Sequence, residues 1–225
     1  MTALAREGPP ENGRRDERDL RAWHSGPMVD GGVAGLVLAA GAGRRMGGPK
    51  GLLRLSPNGP SLVELAVARF RDAGLERVLV VVGSAAADVA VRARRAGADV
   101  VEAPDWDEGM GASLRRGLVA LESTDARAAL LMLVDLPDVG ADVHTRILSS
   151  VEGGGGSGLD GVLVRAAYEG RAGHPVLLGR EHWRLVSTQA VGDRGARAYF
   201  EAHPPRLVEC GDLATGRDID RPADI

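Results

Sequence analysis

The sequence is poor in cysteine and aromatic residues, and it lacks a long apolar run. Its 225 residues include one cysteine, Cys210, which excludes an internal disulfide and a cysteine-based metal centre. Three tryptophans, two tyrosines and two phenylalanines leave few rings for stacking on bases, and a net charge of −3 gives no basic excess for binding phosphate backbones. No apolar run reaches the roughly 18 residues of a transmembrane helix. We therefore expect a cytoplasmic protein that binds neither nucleic acid nor membrane.

Lysine is nearly absent as well, because Lys50 is the only lysine among 28 basic residues. Its ammonium group is a compact point charge that the planar guanidinium of arginine does not replace. Chance retention explains a single lysine equally well, so its role depends on its neighbours in the sequence.

Two regions differ in composition. Residues 1–32 contain adjacent prolines, several glycines and mixed charges without a periodic apolar face, which predicts a disordered N-terminal tail. Met28 within this tail is an alternative start of the natural chain. Residues 33–225 are predicted to form one domain.

Short apolar runs alternate with amphipathic stretches in the first part of this domain. They predict strands at 34–39, 77–82, 98–101 and 129–134, with helices at 61–73, 85–96 and 112–121. Near-continuous apolar strands separated by helices are typical of a parallel sheet that is covered on both faces. We therefore predict a doubly wound α/β fold.

The last third of the chain has a different pattern. A glycine-rich turn at 153–158 is followed by predicted strands at 160–167, 174–178 and 206–208, and by helices near 181–186 and 194–202. The first two of these strands are joined by a polar turn, which predicts a hairpin and a partly antiparallel addition to the sheet.

The segment LAAGAGRRMGGPKGLL (residues 38–53) carries the clearest chemical signal. A buried strand leads into a loop with several glycines, whose small size lets backbone N–H groups approach an anion. Arg44, Arg45 and Lys50 add positive charge to this loop. Ligands of open α/β sheets bind at the carboxyl ends of the strands, so we expect a phosphate-binding loop here.

Two well-known phosphate loops do not fit this segment. A dinucleotide-binding fingerprint needs a third glycine where Met46 stands. A Walker loop needs Gly-Lys-Ser/Thr, but Pro49 separates Gly48 from Lys50.

Aspartates at two places in the chain are candidate metal ligands. Asp135 follows an apolar strand, so its carboxylate is expected at the ligand-binding edge of the sheet. Asp218 and Asp220 lie on one side of an extended segment near the C terminus. Mg²⁺ binds one or two carboxylates together with phosphate oxygens and water, so the pair Asp135 and Asp220 suits it. A helix cap at Asp135 and a solvated charge at Asp220 are the alternatives.

The glycine-rich loop resembles the signature of the MobA-like nucleotidyltransferases, and most closely that of the molybdenum cofactor cytidylyltransferases. Further segments are similar to blocks of this family in the same order, namely WDEGMGASLRRGL, LVDLPDV, GHPVLL, GDRGAR and DIDRPADI. The resemblance implies a Rossmann-like, three-layer α/β/α nucleotidyltransferase fold with a mostly parallel mixed sheet. It also implies an enzyme that binds a nucleoside triphosphate with Mg²⁺.

The resemblance implies roles for individual residues. Nucleotide contacts are implied for Leu38, Ala39, Ala40, Gly41, Gly43, Met46, Gly47, Gly83 and Ser113. Catalytic roles are implied for Arg45, Lys50 and Asp135, metal binding for Asp135 and Asp220, and acceptor binding for His174, Asp193 and Arg197. Ala40 stands where guanylyl members of the family have glycine, which favours CTP as the donor.

The implied reaction moves CMP from CTP to the phosphate of a molybdopterin-type cofactor, with release of pyrophosphate. A molybdoenzyme or its chaperone is then a candidate partner. Ala103 and Val134 depart from the family pattern, which keeps open another phosphorylated acceptor or another donor such as GTP. A non-catalytic carrier of the cofactor is an alternative of a different class, although the retention of Lys50, Asp135 and Asp220 argues against it.

Overall fold

The computed structural model of the protein describes residues 32–151 and 158–225. The predicted N-terminal tail, apart from Gly32, and the alternative start Met28 lie outside the described residues. The predicted glycine-rich turn at 153–158 also lies outside them, apart from Gly158.

The described residues form one mixed sheet of seven strands. The strands are β1 (Val33–Leu38), β2 (Val78–Val82), β3 (Asp99–Glu102), β4 (Ala128–Leu133), β5 (Leu163–Tyr168), β6 (Arg171–Gly179) and β7 (Arg206–Glu209). Their order across the sheet is β3-β2-β1-β4-β6-β5-β7. Strands β1 to β4 pair in parallel, β6 runs antiparallel to both β4 and β5, and β7 is parallel to β5. This arrangement confirms the predicted mixed sheet and its partly antiparallel last third.

Helices cover both faces of the sheet. They are α1 (Leu62–Asp72), α2 (Ala86–Arg95), α3 (Met110–Glu122), α4 (Ala141–Ser149), α5 (Arg180–Gln189) and α6 (Arg197–Ala202). The apolar sides of α1, α2 and α4 belong to one buried cluster, and those of α3, α5 and α6 belong to another on the opposite face. The predicted three-layer α/β/α fold is therefore confirmed. Within the described ranges, no helix combines the length and apolar character that a membrane span requires.

Helix α1 illustrates how local sequence determines an element. The Ser61 backbone N–H and hydroxyl both donate to Glu64 Oε2, at 2.8 and 2.6 Å, and form a capping box. Five apolar side chains of the helix are buried, and the four larger than alanine each contribute about 1.5–3 kcal/mol relative to full exposure. The chain leaves the helix at Gly74, whose φ of +88° favours glycine.

The structure corrects three details of the sequence-based prediction. Helix α4 was not predicted, because it is short and only two of its apolar side chains, Val143 and Ile147, are buried. The hairpin turn is shorter than predicted: Glu169 and Gly170, with φ of +53° and +75°, connect β5 directly to β6. The helix predicted near 194–202 begins only at Arg197, after a separate 3₁₀ turn at Gly192–Arg194.

Candidate active site

The site lies at the topological switch point of the sheet, between β1 and β4. These parallel strands pair with Leu38 opposite Leu133, so the loops that follow them leave the same edge of the sheet. Strands β2 and β3 lie on one side of this point, and the later strands lie on the other. Open α/β sheets bind ligands at such a point. A cavity of about 390 Å³, the first cavity, opens there between the glycine-rich loop, the start of α3 and Asp135.

Gly43 shapes the glycine-rich loop. Its φ is +56°, and its carbonyl accepts hydrogen bonds from the N–H groups of Met46 at 2.8 Å and Gly48 at 3.3 Å. A Cβ atom at Gly43 would lie 2.0 Å from the Gly48 carbonyl oxygen, so this turn requires glycine. The turn leads through a second 3₁₀ segment, Lys50–Leu52, and so directs Lys50 back towards the end of β4.

Lys50 is the centre of a cluster of charges. Its Nζ donates to Asp135 Oδ2 at 2.8 Å and to Asp220 Oδ1 at 2.5 Å, and the Arg45 guanidinium lies 3.8 Å from Asp220 Oδ2. Burial of Lys50 works against its charge, but hydrogen bonds to the two carboxylates outweigh this effect and raise the pKa of its ammonium group. The same hydrogen bond lowers the pKa of Asp220. Lys50 and Asp220 are therefore charged at neutral pH.

Three carboxylates in this cluster could hold a divalent cation. Asp135, Asp218 and Asp220 each offer an oxygen, and these oxygens lie within 4.8 Å of one another. Asp135 Oδ1 is buried, and nothing in the described ranges donates a hydrogen bond to it. A buried carboxylate oxygen without a donor and two nearby carboxylates suit a hard cation such as Mg²⁺ or Mn²⁺. The structure thus brings together the predicted ligands Asp135 and Asp220 and adds Asp218.

The C-terminal segment is fixed to the end of β4 by backbone and side-chain hydrogen bonds. The Ile219 N–H donates to the Asp135 carbonyl at 2.9 Å, and the Ile219 side chain is buried. The Asp138 carboxylate accepts hydrogen bonds from the backbone N–H groups of Thr215 at 2.7 Å and Gly216 at 3.2 Å, and from the Thr215 hydroxyl. These contacts hold the last two carboxylates of the cluster beside the first.

Arg69 of α1 holds the loop after Asp135 from the other side. Its guanidinium donates to the carbonyls of Leu136, Pro137 and Val139. Burial lowers the pKa of this guanidinium, yet the three carbonyls satisfy its donors without a carboxylate partner. This contact therefore contributes to the position of Asp135.

The structure places the predicted nucleotide-binding residues in two groups. Those that line the first cavity are Leu38, Ala40, Gly41, Gly43 and Ser113, together with Lys50 and Asp135. Ala39 is buried in the core, and Met46 and Gly47 lie in the loop away from the cavity lining. Gly83 lies behind Trp106, where a Cβ atom would come within 2.5 Å of the indole. Trp106 itself lines the cavity and was not predicted as a ligand contact.

A second cavity of about 380 Å³ adjoins the first. The two cavities share Leu38, Met110, Leu133 and Asp193 in their linings. The second cavity contains all three predicted acceptor-binding residues, His174, Asp193 and Arg197, and it also contains Arg165, which sequence analysis missed. Desolvation of the ring, and then the nearby charge of Arg165, lower the pKa of His174 to about 3. Its imidazole is therefore neutral at neutral pH.

The fold and the site together define a nucleotidyltransferase: a glycine-rich loop, a lysine and a cluster of carboxylates meet at one edge of a Rossmann-like sheet. Residues 35–207 match the MobA-like NTP transferase domain, and the chain belongs to this family.

Comparison with individual proteins agrees with this assignment. A nucleotidyl transferase from Methanothermobacter (Mth528) has a similar structure, with a TM-score of 0.69, 25% identity, and coverage of 85% of this chain and 93% of its own. Rv0371c from Mycobacterium tuberculosis H37Rv, solved in complex with manganese, has a TM-score of 0.63 and 26% identity over 83% of this chain and 93% of its own. In sequence, the chain is 34% identical over 198 residues to nicotine blue oxidoreductase from Paenarthrobacter nicotinovorans, covering 84% of this chain and 92% of that protein.

Proposed function

We propose that this enzyme transfers CMP from CTP to the phosphate of a molybdopterin-type cofactor and releases pyrophosphate. The observation that carries the proposal is the contact of Lys50 with Asp135 and Asp220 beside a glycine-rich loop. A single ammonium group and carboxylates that could bind a metal thus lie beside the loop that we expect to bind the triphosphate. CTP as the donor is supported by Ala40, and the acceptor by the family blocks in the sequence.

The reaction needs charge stabilisation more than proton transfer. An oxygen of the acceptor phosphate forms a bond to the α-phosphorus of the nucleotide, and the bond from that phosphorus to the oxygen bridging to the β-phosphate breaks. Its electron pair leaves with pyrophosphate. A phosphate monoester is largely dianionic at neutral pH, since its second pKa is about 6, so no general base is required.

The loop and Lys50 supply the protein's part of this chemistry. Backbone N–H groups of the loop 43–47, with Arg44 and Arg45 beside them, would bind the triphosphate. The Lys50 ammonium group would stabilise negative charge as it develops around the α-phosphorus. Asp135, Asp218 and Asp220 would hold Mg²⁺, which when bound neutralises phosphate charge and orients the triphosphate.

A redox activity is a second candidate, because a relative that is 34% identical over most of both chains is named an oxidoreductase. Its substrate name denotes a dye, and the second cavity has an apolar floor on which such a molecule could lie. Reduction of a dye would require a hydride donor, such as a reduced nicotinamide dinucleotide, and a proton from solvent. The glycine-rich loop lacks the dinucleotide-binding fingerprint, which favours the transferase over this candidate.

Pyrophosphate release tests the proposed transfer directly. Purified protein is incubated with Mg²⁺, the molybdenum cofactor and either CTP, GTP or ATP, and pyrophosphate is measured. We expect release with CTP and a loss of about 10²–10³-fold in the Lys50→Met variant, the usual effect of removing one group that stabilises developing charge. Lys50→Arg is also expected to be impaired, because its planar fork does not replace an ammonium between two carboxylates.

Absence of pyrophosphate with every donor, from a folded protein, would contradict the proposal. Oxidation of a reduced nicotinamide dinucleotide in the presence of a heterocyclic dye, under the same conditions, would favour the second candidate.

A further inference from the structure

The second cavity combines an apolar floor with a positively charged wall. Leu114 and Leu131 are buried beneath it, and the Phe200 ring borders it. The cations in its lining are Arg165, Arg194 and Arg197. Such a surface suits a flat apolar ligand that carries negative charge.

Arg165 differs from the other two arginines because it is half-buried, whereas Arg194 and Arg197 are exposed at the rim. Its Nε donates to the Gly173 carbonyl at 2.6 Å, and its guanidinium carbon lies 5.6 Å from the centre of the Phe200 ring. Burial lowers the pKa of its guanidinium.

Among the described residues, Arg165 also has no anionic partner. Over the ranges that the structure describes, no carboxylate oxygen lies within 4.0 Å of its nitrogens, and no acceptor binds its two terminal nitrogens. The half-buried Arg69, by contrast, donates to three carbonyls. A half-buried cation without such partners is costly unless a ligand supplies the acceptors.

The two terminal nitrogens of Arg165 can bind an anion together. Two terminal nitrogens of a guanidinium donate in parallel to two oxygens of a phosphate or carboxylate. The fixed Nε contact and the Phe200 ring restrict its side chain, so little rotational freedom would be lost on binding. Beside it, the neutral His174 ring adds a hydrogen-bonding group without charge.

We propose that the second cavity binds the acceptor as a flat aromatic body with an anionic group, and that Arg165 binds that anion. This inference rests on the proposed transferase function, because the cavity adjoins the first cavity and would hold the molecule that receives the nucleotidyl group. It makes Arg165 a specificity-determining residue for the acceptor.

Calorimetric titration with three small probes tests the proposal: 1-naphthyl phosphate, 1-naphthoate and uncharged 1-naphthol. We expect the wild-type protein to bind naphthyl phosphate about 10- to 100-fold more tightly than naphthol, the usual effect of hydrogen bonds to a charged group. Naphthoate bound as tightly as naphthyl phosphate would support recognition of negative charge in general. Weaker naphthoate binding would support recognition of phosphate.

Variants test whether Arg165 causes the preference for the anionic probe. Arg165→Met is expected to abolish the preference for the anion, and Arg165→Lys, which keeps the charge but not the fork, to retain part of it. Arg171→Met is the matched control, because Arg171 is an exposed arginine of the same hairpin outside the cavity lining, and it should leave the preference unchanged.

An equal affinity of the wild-type protein for naphthyl phosphate and naphthol would overturn the proposal. So would an Arg165→Lys variant, folded by circular dichroism, that keeps the full preference, or an Arg171→Met variant that loses it. CTP titrations of the same samples separate this inference from the proposed function. Failure of the wild-type protein to bind CTP would contradict the transferase function, whereas the naphthyl phosphate results concern the second cavity alone.

Discussion

Lys50 is the residue around which the charges of the candidate site are arranged. It joins Asp135, from the end of β4, to Asp220, which is distant in sequence, and its own loop begins at the end of β1. Surface ion pairs contribute little to stability, but the Lys50 and Asp135 side chains are only 17% and 18% exposed. This partial burial shields the ion pair from solvent and strengthens the attraction between its two charges.

His144 gives the protein a dependence of stability on pH that does not involve the site. Its ring is buried and stacks on Phe70 at 4.5 Å, and neither ring nitrogen has a hydrogen-bond partner among the described residues. Burial lowers its pKa from 6.5 to about 4, so the unfolded chain binds a proton more readily than the folded one. The contribution of the neutral His144 ring to the free energy of unfolding is fully present above pH 6.5 and is lost as the pH falls towards about 4.

We predict that His144→Phe removes part of the acid destabilisation, at most about 3 kcal/mol. Urea unfolding of both proteins between pH 6.5 and about 4 measures the difference. Some loss should remain, because the pKa of His174 is also lowered, to about 3. His203→Phe is the matched control, since His203 also stacks on an aromatic ring but is exposed. Identical pH dependence of wild-type and His144→Phe proteins would contradict the prediction.

Gly43 is the glycine on which the shape of the phosphate loop depends. An alanine there would bring its Cβ atom 2.0 Å from the Gly48 carbonyl oxygen, at a φ of +56° that L residues rarely adopt. We predict that Gly43→Ala lowers the affinity for Mg-CTP at least about tenfold while thermal unfolding changes little, because a distorted loop no longer presents its N–H groups together. Gly48→Ala, where a Cβ atom meets nothing within 4 Å, should bind like the wild type. Equal CTP affinities of both variants in calorimetry would refute this.

The loop after β4 and the segment that follows β7 carry the carboxylates of the site. Hydrogen bonds from other residues hold each of them in place. Arg69 of α1 fixes the loop after Asp135 through three carbonyls. Asp138 of that loop in turn binds the backbone at Thr215 and Gly216, which leads to the last two carboxylates. The metal ligands are therefore positioned through the connections that follow the strands, which can shift without unfolding the sheet.

We predict that Asp138→Ala weakens Mn²⁺ binding about 10- to 100-fold, as is usual when a group that supports metal ligands is removed. The fold should persist, because the Asp138 side chain contacts only this C-terminal segment. Calorimetric titration with Mn²⁺ measures the effect. Asp160→Ala is the control, since Asp160 forms an ion pair with Arg127 outside the lining of both cavities. A normal Mn²⁺ affinity in Asp138→Ala would show that the segment needs no such anchor.

For the whole molecule, sequence patterns predicted the sheet and most of its helices because the core strands are apolar on both faces. The runs that became β1, β2 and β4 are buried over almost their full length. Helix α4 was not predicted because it is short and only Val143 and Ile147 marked its buried apolar side. A weak apolar pattern therefore limited the prediction of this helix.

The site was predictable only where neighbouring residues in the sequence form it. The glycine-rich loop and Asp135 could be identified because each directly follows a buried strand. Arg165 could not, because its place in the second cavity follows from the insertion of β6 between β4 and β5, with Leu131 opposite Val176. Such pairings depend on the whole sheet and cannot be inferred from a local sequence pattern.

The proposed activity requires a nucleotide to bind at Lys50 and Asp135 together with a divalent cation. Calorimetric titration of wild-type, Lys50→Ala and Asp135→Ala proteins with CTP, GTP and ATP, each with and without Mg²⁺, measures this binding. We predict Mg²⁺-dependent binding that is selective for CTP and lost in both variants. A preference for GTP would contradict the role given to Ala40, and a folded wild-type protein that binds none of the three nucleotides would contradict the proposed transferase activity.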